Sequence, residues 1–181
     1  MVFLTFGTGL GAGLIVDGRL IRGAAGAAGE VGRWRMAQRG PRAYGKTGSW
    51  EAFASGVGLP RLARFLEPTV EWPPDLTAEE VIRLARSGDA SAARAVEAAA
   101  DWLGRGIAYL VDLLDPEIVV LGSLAVRAGD LFLPGAVRTV RRETAVRTHG
   151  CRIVAAATGE SLGDLAALAA AIHHGLRRPK A

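Results

Sequence analysis

The sequence predicts an α/β fold, a mixed sheet of about five strands flanked by helices. Three observations carry that reading. The chain opens on Val2-Phe3-Leu4-Thr5-Phe6, an apolar β-rich run, and two short runs around the turn pair Asp17-Gly18 follow, which makes three consecutive strands. Segments of helical period then alternate with short apolar runs at Ile118 to Leu121 and Arg152 to Ala155. Half of the 181 residues are apolar and 22% are charged, enough for one substantial core and unlike a disordered chain.

Taken in order, Val2 to Phe6 is the first strand and Gly7-Thr8-Gly9 closes it. Gly13 to Val16 and Arg19 to Ile21 form a hairpin across Asp17-Gly18. Gly23 to Gly48, rich in Gly, Ala and Arg, reads as loop with a strand at Val31 to Met36. Trp50 to Phe65 is helical, broken before Pro60, and Pro68, Pro73 and Pro74 mark a surface connection. Thr77-Ala78-Glu79-Glu80 is a capping-box pattern ahead of Val81, Ile82 and Leu84, so a helix starts there and fades at Ser87-Gly88. Asp89 or Ser91 caps the next and longest helix, which runs to Asp115-Pro116. Ile118 to Leu121 is a continuous apolar run ended by Gly122, the pattern of a strand covered on both faces. Helices at Leu131 to Thr144 and Leu162 to Leu176 flank the last strand, Arg152 to Ala155.

Composition narrows the function classes. A single cysteine, Cys151, excludes an internal disulfide and every multi-cysteine metal cluster, and its apolar neighbours suit an inert buried thiol. Twenty-two basic against eighteen acidic residues give +4, mild for a nucleic-acid binder. No apolar run reaches the roughly 18 residues of a membrane span, and the start lacks a leader pattern, so a soluble cytoplasmic protein is expected. Trp34, Trp50 and Trp102 read as packing residues and His173-His174 as a solvated helix end. Arg138, Arg141 and Arg142, without interleaved aromatics, read as a solvated helix face.

Three segments carry candidate chemistry. In Gly7-Thr8-Gly9-Leu10-Gly11-Ala12-Gly13, glycine at every second position lets a ligand approach the backbone, whose amides and the Thr8 hydroxyl suit phosphate oxygens. The same residues also suit a plain turn between strands. A hairpin follows and no Lys-Ser/Thr is present, so this is neither a Rossmann fingerprint nor a P-loop. Gly26 to Arg33 and Tyr44 to Glu51 set two carboxylates, Glu30 and Glu51, among glycines. Such carboxylates accept hydrogen bonds from vicinal sugar hydroxyls, or are solvated surface groups. Asp115 to Ser123 is a strand running into a small-residue turn, a common ligand site in α/β sheets and an equally common helix connection.

In this order, GTGLGAGLIVDGRLIRGAAGAAGEVG, GKTGSWEAFASG, GRGIAYLVDLLDPEIVVLG and ATGESLGDLAALAAA resemble the ROK family of bacterial sugar kinases and sugar-responsive repressors. That family lies within the actin-like ATPase and hexokinase superfamily of ribonuclease H-like folds. The resemblance implies that Gly7, Thr8, Gly9 and Gly11 grip the phosphates of ATP with its Mg²⁺, that Gly122 lies by the nucleotide, and that Glu30 and Glu51 bind the sugar. It implies further that residues 1–181 are one domain equivalent to the C-terminal lobe of such a kinase, with the N-terminal lobe absent. That lobe carries an Asp-Gly-Gly-Thr-like phosphate loop and an Asn-Asp pair whose Asp is the general base, and neither is matched. A placed base typically contributes ~10²–10⁴-fold to such a transfer. No residue of this chain is therefore assigned as catalytic.

Family members commonly have His after Glu-x-Gly and then Cys-x-Cys-Gly-x-x-Gly-Cys-x-Glu, which together hold zinc. Here those metal positions read Arg33, Arg42, Tyr44 and Ser49, so no zinc is expected. The matching His also touches the sugar, which gives Arg33 a sugar-facing place, donating to a hydroxyl or pairing with Glu30. Ser123-Leu124 replaces the usual glycines after Gly122 and adds a side chain toward the base. The expected function is a truncated, glucokinase-like sugar kinase homologue with a residual ATP and sugar half-site and no phosphotransfer alone. Two alternatives stand beside it: a hexose kinase completed by a separately encoded N-terminal-lobe chain, and a dimerising interaction module. A homodimer is expected. Nucleic-acid binding is not, because the family's repressors recognise DNA through a helix-turn-helix that has no counterpart in this sequence.

Overall fold

The computed structural model describes residues 1–145, 150–161, 165 and 168. The helix expected over Leu162 to Leu176 and the His173-His174 pair lie, Leu165 and Leu168 apart, outside the described residues. Five strands form one mixed sheet in the order β3-β2-β1-β6-β7, with β1 (Val2–Leu4) at its centre. β2 (Ala12–Val16) pairs antiparallel with β1, and β3 (Arg19–Leu20) folds back on it. Asp17 (φ 49°) and Gly18 (φ 71°) make the turn, the left-handed pair that matches the twist of a two-residue hairpin. β6 (Ile118–Leu121) lies parallel to β1, and β7 (Arg152–Ala155) parallel to β6.

The helices follow their caps. Ser49 accepts from the Ala52 amide and starts α1 (Trp50–Phe53). Buried Ser55 accepts from Gly58 N and starts α2 (Gly58–Leu66), so the break foreseen before Pro60 falls at Ala54–Val57. Thr77 caps α3 (Ala78–Arg86), and Asp89, not Ser91, caps the 25-residue α4 (Ala90–Leu114). α5 (Ser123–Glu143) begins eight residues before the expected start at Leu131, because the chain enters the helix at Gly122 and kinks at Ala128 (φ −142°, ψ 30°) before Gly129. The kink hides the first half from a search for unbroken helical period.

Two further expectations are corrected. Val31 to Met36 is not a strand: Val31–Arg33 is a single 3₁₀ turn, and only Arg35 pairs, in a lone bridge to Ser49. Its apolar residues pack on the core instead, with Trp34 stacked on fully buried Trp50 at 5.7 Å. A short ribbon then forms from β4 (Arg42–Ala43) and β5 (Lys46–Thr47) across a Tyr44-Gly45 turn. β6 is not equally covered on its two faces: Val119 and Leu121 are buried with Val2 and Leu4 beside them, while Ile118 and Val120 are half-buried. The tryptophans pack as expected. Trp102 stacks on Phe53 at 4.2 Å, and its carbonyl accepts from Trp50 Nε1. Cys151 is half-buried, and that burial pushes its thiol up, away from reactivity. Among the described residues no helix is long and apolar enough to cross a membrane.

Candidate functional site

The glycine loop leaves the central strand and is held from below by Thr5. Its hydroxyl accepts from the Gly11 amide at 2.9 Å, and its own amide donates to the Gly11 carbonyl. The loop's carbonyls point toward α2, where the Gly7 oxygen accepts from Gly56 N at 2.7 Å and the Thr8 oxygen from Val57 N at 3.0 Å. Leu10 N donates to Glu51 Oε2 at 2.8 Å. Among the described residues, no acceptor faces the amides of Thr8 and Gly9. Two adjacent free amides beside an exposed hydroxyl form a small anion-binding concavity.

A cleft of about 630 Å³ opens on that side. Gly7 and Thr8 line it together with the first residues of three helices: Gly56 and Val57 before α2, Thr77 to Glu79 at α3, and Ser123 and Leu124 at α5. The three helices turn their positive dipole ends toward the cleft, which favours an anion, although the Gly56, Val57 and Leu124 amides are already bonded to the Gly7, Thr8 and Phe6 carbonyls. Arg61, Arg64 and Arg127 add charge to the rim, against one acid, Glu79. Arg61 and Arg64 donate to the carbonyls of Arg42, Pro73 and Pro74 and have no ion pair among the described residues, whereas Arg127 stands 3.7 Å from Glu79. Gly122 itself does not line the cleft: its amide donates to the Leu4 carbonyl, and the next residue, Ser123, sits against Gly7. These rim residues escaped the sequence reading. Arg61 and Arg64, one turn apart on α2, were the available signal.

On the loop's other side, Gly29 and Gly32 press onto its backbone. A Cβ on Gly29 would stand 1.9 Å from the Ala12 carbonyl oxygen, and one on Gly32 would stand 2.1 Å from that of Leu10. This contact brings the exposed Glu30 and Arg33 beside the loop, and puts Gly32 within van der Waals reach of the Glu51 side chain. Glu51 itself is half-buried on the first turn of α1. Backbone packing thus sets the segment that carries Glu30 and Arg33 against the loop whose Leu10 amide Glu51 accepts from. Among the described residues Arg33 makes no ion pair with Glu30.

The positions matched to zinc ligands are otherwise engaged. Arg42 and Tyr44 belong to the ribbon, and the buried Ser49 hydroxyl caps α1. Side-chain cations tie the segment together: Lys46 Nζ donates to the Arg33 carbonyl, Arg35 to that of Thr47, and Arg61 to that of Arg42. Among the described residues there is no cluster of three or more His, Cys, Asp or Glu fit to hold a metal ion.

A second cavity, about 530 Å³, lies between α2, α4 and α5, and its lining includes the pairs Arg94–Glu67 and Arg142–Asp101. Asp101 is its centre. Partial burial pushes its carboxyl up, but hydrogen bonds from Thr139, Arg105 and Arg142 outweigh that and hold it below the ordinary range.

The family model for the ROK family matches residues 1–174. The chain is 36% identical over 144 residues to a glucokinase of Halalkalibacterium halodurans, covering 74% of this chain and 44% of that protein. It is 35% identical over 142 residues to a xylose repressor of Caldicellulosiruptor bescii, covering 74% and 36%. Among solved structures, a ROK family glucokinase from Streptomyces griseus, in complex with glucose and AMPPNP, superposes with a TM-score of 0.77 at 30% identity over 90% of this chain and 57% of that one. A ROK hexokinase from Thermus thermophilus gives 0.75 at 32%, over 90% and 53%. The chain spans less than half the length of the two curated relatives. With its mixed sheet, flanking helices and central glycine loop, this chain belongs to the ROK family and has the actin-like ATPase fold.

Proposed function

We propose that this chain is the C-terminal lobe of a glucokinase-like sugar kinase and supplies half of its cleft. The triphosphate of ATP lies against the Thr8 and Gly9 amides, and a hexose lies beside Glu30, Arg33 and Glu51. One observation supports the reading: the Gly7–Gly11 loop borders a cationic cleft at three helix starts, and the same loop is bonded by Glu51 and packed by the Gly29–Gly32 segment that carries Glu30. Nucleotide and sugar would thus meet across a single loop, as in-line transfer requires. Glu79 is the only carboxylate lining the nucleotide cleft among the described residues, and it faces Arg127, so Mg²⁺ would be carried chiefly by the phosphates. No side chain here is placed as general base. The base comes from the complementary lobe, and the chain alone binds without transferring.

The test has two arms. Calorimetry should detect AMPPNP binding that Gly9→Glu abolishes, since a Cβ at Gly9 already stands 2.7 Å from Glu51 Oε2 and a carboxylate there repels phosphate. With ATP, Mg²⁺ and a hexose panel, the same preparation should form no sugar phosphate above background. Turnover that is lost on substituting a residue of this chain would overturn the half-site reading. Tyr109 and Leu113, 56% and 72% exposed along α4, favour a twofold dimer through the helical side. Light scattering should then give twice the 18.9 kDa chain mass.

A further inference from the structure

From Val31 to Trp50 the chain carries five cations, Arg33, Arg35, Arg39, Arg42 and Lys46, and no acid. Glu30 and Glu51 stand at the two ends of that stretch. Among the described residues none of the five lies within ion-pair distance of a carboxylate. Where they bond, they bond to neutral oxygens: Lys46 to the Arg33 carbonyl and Arg35 to that of Thr47. The ribbon pairing, the Arg35–Ser49 bridge and the Lys46 bond to the Arg33 carbonyl fold Arg33, Arg35, Arg42 and Lys46 into one small unit, which Gly32 fastens to the loop beside Glu51. Five cations against the two carboxylates at the ends of the stretch leave this segment with a net positive charge, which ordinary salt screens over about 8–10 Å.

We infer that the sugar side of the cleft takes an anionic carbohydrate, a hydroxylated ring bearing a carboxylate or a phosphate, in preference to a neutral hexose. The inference rests on the reading that Glu30, Arg33 and Glu51 face the sugar. Carboxylates accept from ring hydroxyls, and guanidinium groups grip an acid group through paired, charge-assisted hydrogen bonds. A ligand that uses both kinds of partner needs hydroxyls and a negative charge on one small frame.

The full chain is titrated by calorimetry with D-glucuronate, D-glucose 6-phosphate, D-glucose, inorganic phosphate and AMPPNP, at low and at high salt. At least one anionic sugar should bind about tenfold or more tightly than glucose and than phosphate alone, with the margin shrinking in high salt. Arg33→Ala should bring that sugar to parity with glucose. Arg138→Ala, on α5 by the second cavity, should leave the preference intact. If Arg33→Ala fails to fold by circular dichroism, Arg33→Gln and Arg42→Ala take its place. Glucose binding as tightly as both anionic sugars overturns the inference. So does phosphate matching them, which marks an unspecific anion patch, and so does a DNA duplex outcompeting them. AMPPNP binding with no sugar bound defeats this inference alone; if neither binds, the proposed half-site fails with it.

Discussion

The helices α3 to α5 and the loop from Val31 to Ser49 treat arginine in opposite ways. On the helices several arginines pair with an acid: Arg83 with Glu80, Arg86 with Asp130, Arg94 with Glu67, and Arg105 and Arg142 with a shared Asp101. In the loop the cations reach only main-chain carbonyls. A carbonyl satisfies a donor's geometry and leaves its charge in place. These pairs neutralise charge locally on the helices, and among the described residues the loop has no such pair. The comparison shows that hydrogen-bond satisfaction and charge neutralisation are separate conditions, and that only the second predicts a ligand.

The largest effect should come from breaking the loop's attachment. Trp50 is fully buried, stacked on Trp34 and bonded to the Trp102 carbonyl, so Trp50→Ala should cost about 3–5 kcal/mol by chemical denaturation. Gly32→Ala forces a methyl into the Leu10 carbonyl at 2.1 Å and should cost about 3 kcal/mol. Both should also abolish sugar binding, because the charged unit would no longer lie against Glu51. A stable Gly32→Ala protein with intact binding would show that the loop is held by some other contact.

Local hydrogen bonds explain what could be read from the sequence. Thr77 and Asp89 cap their helices by bonds to the amides three residues on, and Asp17-Gly18 turns its hairpin by its own backbone preference. Elements decided at a distance were not legible. The alternation of Val31 and its neighbours reads as a strand until Trp50 arrives to pack on them, and Ala128 breaks a helix whose second half alone carries an unbroken period. The site divides in the same way. Gly7 to Gly11 is conspicuous in the sequence, but the clasp from Glu51 to Leu10 spans 41 residues, and the rim of Arg61, Arg64 and Arg127 exists only once three helices converge.

The helical side supplies a prediction of middle size. Asp101 is half-buried and accepts from Thr139, Arg105 and Arg142, so Asp101→Ala should cost about 1–2 kcal/mol near neutral pH, discounted for its partial exposure. Its carboxyl is held below the ordinary value of 3.8. The stabilisation is therefore fully present above about pH 4 and is lost as pH falls through the lowered folded-state value. The mutant and the parent should converge in stability as acid is added. A gap that persists unchanged into strong acid would mean that the loss came from packing.

The smallest effect is expected at the positions that the family resemblance matches to a metal signature, Arg33, Arg42, Tyr44 and Ser49. If zinc held the segment from Arg33 to Ser49, its binding energy would be folding energy, and a chelator would lower the melting temperature. Here two cations of the segment, and Arg61 from α2, bond to its carbonyls, while Ser49 is occupied as a helix cap. Those contacts are independent of any ion. EDTA should therefore leave the melting temperature where it is, and elemental analysis should find no stoichiometric zinc. Lys46→Met should lower stability by about 1 kcal/mol, through the lost bond to the Arg33 carbonyl, in the presence and absence of chelator alike. One zinc per chain, or a Lys46→Met effect that vanishes in EDTA, would place a metal where this structure puts hydrogen bonds, and the contrast between a neutral helical face and an uncancelled cationic loop would no longer hold.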